Sequence, residues 1–256
     1  MAEFMGPISS IKFDSDIPIP MRDGIKLYAD VYRPGGRGKL PVILLRTPYN
    51  KNLSTNRFGS MDPLRAASHG YAVVIQDTRG RYTSQGEFYP FIHEIEDGYD
   101  TVEWCAAQPW SSGKVGMTGA SYVGSTQWMA AVARPPSLKA IAPQVTSSDH
   151  YEGWTYQGGA MCWAFTMSWA MRALTLANFP RLSQGKTVPP DSRSKLLHAI
   201  NNMSDAMNFI PLKDFPYLQG GLAPFFYDWI RHPRLDSYWK RVRTEEHWGQ
   251  MDLPAL

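Results

Sequence analysis

The residues with the clearest chemical potential are Lys114-Val-Gly-Met-Thr-Gly119-Ala120-Ser121-Tyr122-Val123-Gly124. They set a serine between a short apolar run and the start of a helical pattern, with small residues where the chain must turn sharply. A nucleophile elbow has these requirements: a strained turn lifts the serine oxygen clear of a sheet, and the backbone N–H groups that follow face a developing oxyanion. The chemistry would be acyl transfer, with Ser121 attacking an ester or amide carbonyl. The general G-x-S-x-G pattern is met only in part, because Val123 stands at the second glycine position and Gly124 comes one residue late. A serine that opens a helix can also simply cap it. From the local sequence alone the two readings are level.

An elbow needs a parallel sheet beneath it, and the chain supplies one. Four apolar runs, Pro41-Val-Ile-Leu-Leu45, Tyr71-Ala-Val-Val-Ile75, Val115-Gly-Met117 and Leu138-Lys-Ala-Ile-Ala142, lack alternation, as strands covered on both faces do. Before them, Arg22-Asp23-Gly24 supplies turn chemistry and Ile25 to Tyr32 alternates, which predicts a hairpin leading into a half-buried, antiparallel strand. Ile95, Tyr99, Val102 and Ala106 recur at helical spacing through Asp97 to Gln108, with Pro109 to end the helix. A second helix is predicted from just after Ser121 to about Val132, before Arg134-Pro135-Pro136. Strands alternating with helices give a doubly wound α/β core.

Beyond about Val145 the strand-like runs stop. Trp154 to Ala177 is rich in Trp, Met, Phe and Ala and predicts helix; prolines then divide the chain into short segments as far as Pro233. The expected organisation is a first part of the core over 1–145, a helical cap insertion over 146–245, and a return strand to the core over 246–256. This setting moves the odds on Ser121 strongly toward the nucleophile.

Other candidates fare less well. Asp77 and Arg79 flank a strand end and a glycine-bounded turn, where an internal ion pair or turn hydrogen bonds explain them best. Asp149-His150 is a tempting local pair, but in α/β-hydrolase order the acid and histidine follow the serine on loops after later strands, and this pair stands where the insertion begins. Surface or capping roles suit His198, His232 and His247. Cys105 and Cys162 are too few and too far apart for a disulfide framework or a metal site, so a cytoplasmic location is expected and no cofactor is required. The net charge of +3 is spread along the 256 residues. The densest basic stretch, Arg231 to Arg243, is interrupted by Asp236, Tyr238 and Trp239, so no nucleic-acid partner is expected. No apolar run approaches the roughly twenty residues that cross a bilayer, so no membrane is expected either.

Taken together, Pro20-Met-Arg-Asp-Gly24, Arg46-Thr-Pro-Tyr49-Asn-Lys51, Gln76-Asp-Thr-Arg-Gly80, Gly86-Glu-Phe88, Gly119-Ala-Ser-Tyr122-Val-Gly124 with Thr126-Gln-Trp128, and Lys139-Ala-Ile-Ala-Pro143 are jointly specific. They resemble the α/β-hydrolase family of cocaine esterase, the α-amino-acid ester hydrolases, the glutaryl-cephalosporin acylases and the X-Pro dipeptidyl-peptidases (the CocE/NonD type), over its N-terminal portion. That family's elbow is G-x-S-Y-x-G, which Val123 fits. The resemblance implies Ser121 as nucleophile and an oxyanion hole made by the Tyr122 backbone N–H and the Tyr49 hydroxyl. Read from the residues alone, Tyr49 is a loop tyrosine packed by its ring. The resemblance also implies an acyl pocket lined by Trp154 and Trp169, for which core packing is an equally good explanation.

The same resemblance implies a Gly-Trp-Tyr-Asp segment just after a strand like Met251 to Leu256, and a histidine further on. Both are expected beyond residue 256, which would make the fold incomplete at its C-terminal end and this chain inactive alone. The expected function is a serine hydrolase acting on a small ester or amide, completed by a C-terminal segment or a complementary chain; homo-oligomerisation stays open. The alternative from another class is a non-catalytic protein that binds a ligand or partner on a truncated hydrolase fold.

Overall fold

Six strands form one sheet in the order β1-β2-β4-β3-β5-β6, seen in a computed structural model that describes residues 10–36, 38–53, 61–184 and 188–256. The strands are β1 (Ile11–Pro20), β2 (Lys26–Pro34), β3 (Leu40–Thr47), β4 (Ala72–Asp77), β5 (Ser111–Ala120) and β6 (Leu138–Gln144). Three helices accompany them: α1 (Pro63–Ser68), α2 (Glu94–Ala107) and α3 (Tyr122–Val132). β3 runs parallel to β4 and β5, and β5 parallel to β6, whereas β1 and β2 are antiparallel additions at one side. The fold is therefore α/β with a mostly parallel sheet, as the apolar runs predict.

The absence of alternation in β3 and β4 has a direct cause. Val42, Leu44, Ala72 and Val74 point into one core cluster. Their neighbours Ile43, Leu45, Val73 and Ile75 point into another on the opposite face, with Ala67 of α1. Both faces are covered, so Val42–Leu45 and Ala72–Ile75 are apolar throughout, and the buried polar residues Arg46, Thr47, Gln76 and Asp77 come only at the strand ends. Strand β2 departs from expectation in the same direction: it is buried over most of its length rather than half-buried, because Leu27, Ala29 and Val31 enter one core cluster and Tyr32 the other. The turn before it is closed by Met21 N–H donating to the Ile25 carbonyl at 2.8 Å, with Gly24 at φ +84°.

The chain divides into two compact units. One comprises Met1–Ser148 and Thr244–Leu256, the other Asp149–Arg243. Within the first, the Thr244 N–H donates to the Ser148 carbonyl at 2.8 Å, which holds the outgoing and returning chain side by side. After a short 3₁₀ segment (Glu245–Gln250), Met251 and Leu253 pack on the main core. The chain then touches β6 at a single parallel bridge, Ile141 with Ala255, rather than forming a full strand. In the second unit the predicted helix begins later than expected. Tyr156–Gln157 (β7) and Ala160–Met161 (β8) form a small hairpin, and α4 starts only at Trp163 and runs to Trp169. A π-helical segment (Ala170–Thr175) follows, and further on come α5 (Ser192–Asn201) and α6 (Pro224–Arg231).

Candidate active site

Ser121 stands between the end of β5 and the first residue of α3, with φ 60° and ψ −127°. Few residues other than glycine tolerate such a backbone, which costs on the order of 1–3 kcal/mol and persists only where the surroundings impose it. Those surroundings are visible. Ser121 N–H donates to the Gln144 carbonyl at the end of β6 at 3.0 Å, and the Ser121 carbonyl accepts from the N–H groups of Gly124 at 2.9 Å and Ser125 at 3.0 Å. The buried Gln127 amide donates to the carbonyls of Gly119 and Val123, each at 3.0 Å, and accepts from the Ala142 N–H at 2.9 Å. One side chain thus joins β5, α3 and β6 around the turn.

The small residues are required by contact. Gly119 has φ +138°, and a Cβ there would run into the Val123 side chain. A Cβ on Gly124 would lie 2.7 Å from the Thr146 Cβ and 3.2 Å from the Gln144 carbonyl oxygen. The late glycine therefore lets α3 approach the segment after β6. The capping alternative for Ser121 has no support in the geometry: its side chain makes no capping hydrogen bond to the helix, and its backbone lies outside the extended region that N-caps use.

Tyr122 and Tyr49 are brought together. Tyr122 is the first residue of α3, in the turn whose N–H groups point out of the helix N-terminal end. The half-buried Tyr49 follows β3, and its ring meets the Tyr122 ring edge-on with centroids 6.4 Å apart. The loop carrying Tyr49 is held by buried charge. Arg81 Nε donates to the Pro48 carbonyl at 2.6 Å, the Lys51 N–H donates to Asp77 Oδ1 at 2.7 Å, and Tyr49 N–H donates to Thr47 Oγ1 at 3.0 Å. Asp77 is thus a loop acceptor, and burial pushes its carboxyl up to about 7 against the pull of Lys51 and Arg81. Arg79 forms ion pairs with Asp97 and Asp23.

Trp154 and Trp169 belong to the second unit, where their rings meet edge-on at 5.6 Å. Phe165 lies against both, stacked on Trp169, which also stacks on Trp229 with centroids 6.0 Å apart. Asp149 accepts from the N–H groups of Tyr151 and Glu152 and bridges to Arg243, while His150 Nδ1 meets the Val242 carbonyl at 2.9 Å. Burial lowers His150 to about 4, which keeps it neutral. His232 pairs with Asp236 at 2.6 Å and stacks on Tyr238 at the surface of this unit. Among the described residues no group of three His, Cys, Asp or Glu could hold a metal ion, and no helix is long and apolar enough to cross a membrane.

Two contributors escape a reading of sequence alone. Glu94 and Arg46 are both buried; they pair at 2.7 Å, and Glu94 Oε1 accepts the Tyr122 hydroxyl at 2.9 Å. Arg46 lies in a motif that resembles the family's, but nothing local marks Glu94 as buried.

A sequence profile of the X-Pro dipeptidyl-peptidase (S15) family matches residues 23–256. The cocaine esterase of Rhodococcus sp. (strain MB1 Bresler) is 38% identical over 247 residues, covering 94% of this chain and 42% of the esterase. Among solved structures, a CocE/NonD family hydrolase from Staphylococcus aureus superposes with a TM-score of 0.72 at 27% identity, over 95% of this chain and 40% of that one. An aminopeptidase from a Thaumarchaeota archaeon of marine sediment shares the fold with a TM-score of 0.68 at 24% identity, covering 100% of this chain and 44% of that one. The chain spans about 40% of the length of the relatives it matches.

Proposed function

The chain belongs to the X-Pro dipeptidyl-peptidase (S15) family of α/β-hydrolases, and on that ground we propose that it carries the nucleophile and oxyanion hole of a serine hydrolase cleaving small esters or amides. Ser121 Oγ attacks the carbonyl carbon and gives its proton to a histidine. The Tyr49 hydroxyl and the Tyr122 N–H donate to the tetrahedral oxygen as it gains charge. Collapse expels the alcohol or amine with that proton, and water then releases the acyl group from Ser121 by the same route.

The observation that carries this reading is the backbone of Ser121, held at φ 60° by partners on β6 and α3 while its side chain makes no capping hydrogen bond. A serine hydroxyl is a weak nucleophile without a base. His150 stands where the Asp149–Arg243 unit begins, ahead of the later strands after which α/β-hydrolase order puts the acid and the histidine, so we place the catalytic histidine and its acid partner in sequence beyond residue 256, and this chain by itself does not turn over. The ester preference follows the named activity of the Rhodococcus relative.

The test uses the protein together with its downstream sequence, assayed on p-nitrophenyl esters, the matching anilides and an X-Pro dipeptide anilide. Ester turnover that disappears in Ser121→Ala is the expected result, and Tyr49→Phe lowers kcat by about 10²- to 10³-fold, the usual cost of losing one oxyanion donor. Binding of ester without turnover would favour a non-catalytic ligand-binding protein.

A further inference from the structure

The Tyr122 phenol has a role that the hydrolytic steps above leave unused. Its ring is fully buried, and its hydroxyl sits between two partners: it donates to Glu94 Oε1 at 2.9 Å and accepts from the Phe91 N–H at 2.9 Å. Phe91 stacks on the Tyr122 ring at 4.6 Å with planes 18° apart, and it holds that place with φ +71°, in the left-handed region. Glu94, the first residue of α2, is in turn fixed by Arg46 near the end of β3 at 2.7 Å. Arg46 Nε donates to Gln76 Oε1 at 2.8 Å, and the Arg46 carbonyl accepts from the Thr126 hydroxyl of α3 at 3.2 Å.

A tyrosine that only filled the core would need none of this. Phenylalanine would occupy the same space, yet here a buried carboxylate and the N–H of a strained backbone meet at one phenol oxygen, and a buried guanidinium holds that carboxylate. Desolvating two charges is costly, and buried pairs of this kind are best attested where they fix one arrangement among several. The residue so fixed is the one beside Ser121. Arg46 is also followed directly by Thr47, whose hydroxyl accepts from the Tyr49 N–H, so the end of β3 is tied to both tyrosines.

We infer that Glu94, held by Arg46, is a positioning residue for the oxyanion hole: through the Tyr122 hydroxyl it locks the first turn of α3 and so sets the Tyr122 N–H against Ser121. The inference rests on the hydrolase reading. It makes no claim that Glu94 touches substrate. Its consequence is that loosening Tyr122 weakens stabilisation of the transition state while leaving ground-state binding alone.

The experiment is steady-state hydrolysis of a p-nitrophenyl ester by the protein with its downstream sequence, as wild type, Glu94→Gln, Tyr122→Phe and the double variant. Thermal unfolding is measured on each. Tyr122→Phe leaves the Arg46–Glu94 pair intact and keeps the test open where Glu94→Gln fails to fold. The expected result is a fall in kcat of about 10- to 100-fold in each single variant, as sub-ångström to ångström misplacement produces. KM stays within about 2-fold, and the double variant is no worse than the poorer single one, because both cut the same link. Folded variants with wild-type kcat overturn the inference and leave the hydrolase reading standing, provided Ser121→Ala is inactive. A wild type that never acylates at Ser121 overturns both.

Discussion

In the sheet-bearing unit, the loops at the strand ends are held by buried charge: Lys51 Nζ meets Asp30 at 2.8 Å and Asp16 at 2.8 Å, Arg81 grips the Pro48 carbonyl, and Arg46 pairs with Glu94. In the unit from Asp149 to Arg243 the largest buried groups are rings, with Trp229, Trp239, Phe215, Phe225 and Phe226 nearly inaccessible and His150 kept neutral among them. The difference is one of direction. Hydrogen-bonded ions fix distance and angle and tolerate little change, whereas ring packing is set mainly by volume and accepts alternatives of similar size. A turn that must place a serine and two hydrogen-bond donors has use for the first kind of interior. A unit whose interior is mainly rings tolerates exchange among side chains of similar volume.

The contrast can be broken by size-matched substitutions. Lys51→Met keeps the stem but removes a buried cation that pairs with the buried Asp30 inside the sheet unit, and a loss of about 3–5 kcal/mol in denaturant unfolding is expected. Met171→Leu, at a fully buried position of the other unit, should cost less than about 1.5 kcal/mol. Equal costs would dissolve the distinction. Between these two lies a pH effect. The unfolded chain protonates His150 near its ordinary 6.5, but the folded unit protonates it only near 4. The native state is therefore unpenalised above pH 6.5, loses about 3 kcal/mol as pH falls to about 4, and loses no more from this group below that. Unfolding midpoints between pH 7 and 4 should show this component in the wild type and not in His150→Gln.

How much of this was legible depends on where each signal resides. β3 and β4 announce themselves because burial on both faces demands unbroken apolar runs. β1 does not: it carries Asp14, Ser15, Asp16, Pro18 and Pro20, which an edge strand tolerates, and its register shifts between Asp14 and Ile17. In the second unit, Gly158 at φ +57° and Gly159 at φ +82° make the two-residue turn of the hairpin between β7 and β8. That turn chemistry was present in the sequence, but the surrounding Trp, Met and Ala outweighed it in favour of helix. The elbow was readable because a serine between small residues stands amid apolar runs that predict a parallel sheet; the serine and its neighbours alone left a helix cap equally open. Glu94 was not, because its burial is decided by Arg46 on a strand 48 residues away.

The central claim is that the strained serine at the end of β5 is a nucleophile. The most direct measurement is labelling of the protein and its downstream sequence with a fluorophosphonate probe, followed by mass mapping of the adduct. A single adduct on Ser121 is expected, absent from Ser121→Ala and from the 256-residue chain alone. An enzyme that hydrolyses esters while Ser121 stays unlabelled, or Ser121→Ala with wild-type turnover, would contradict it.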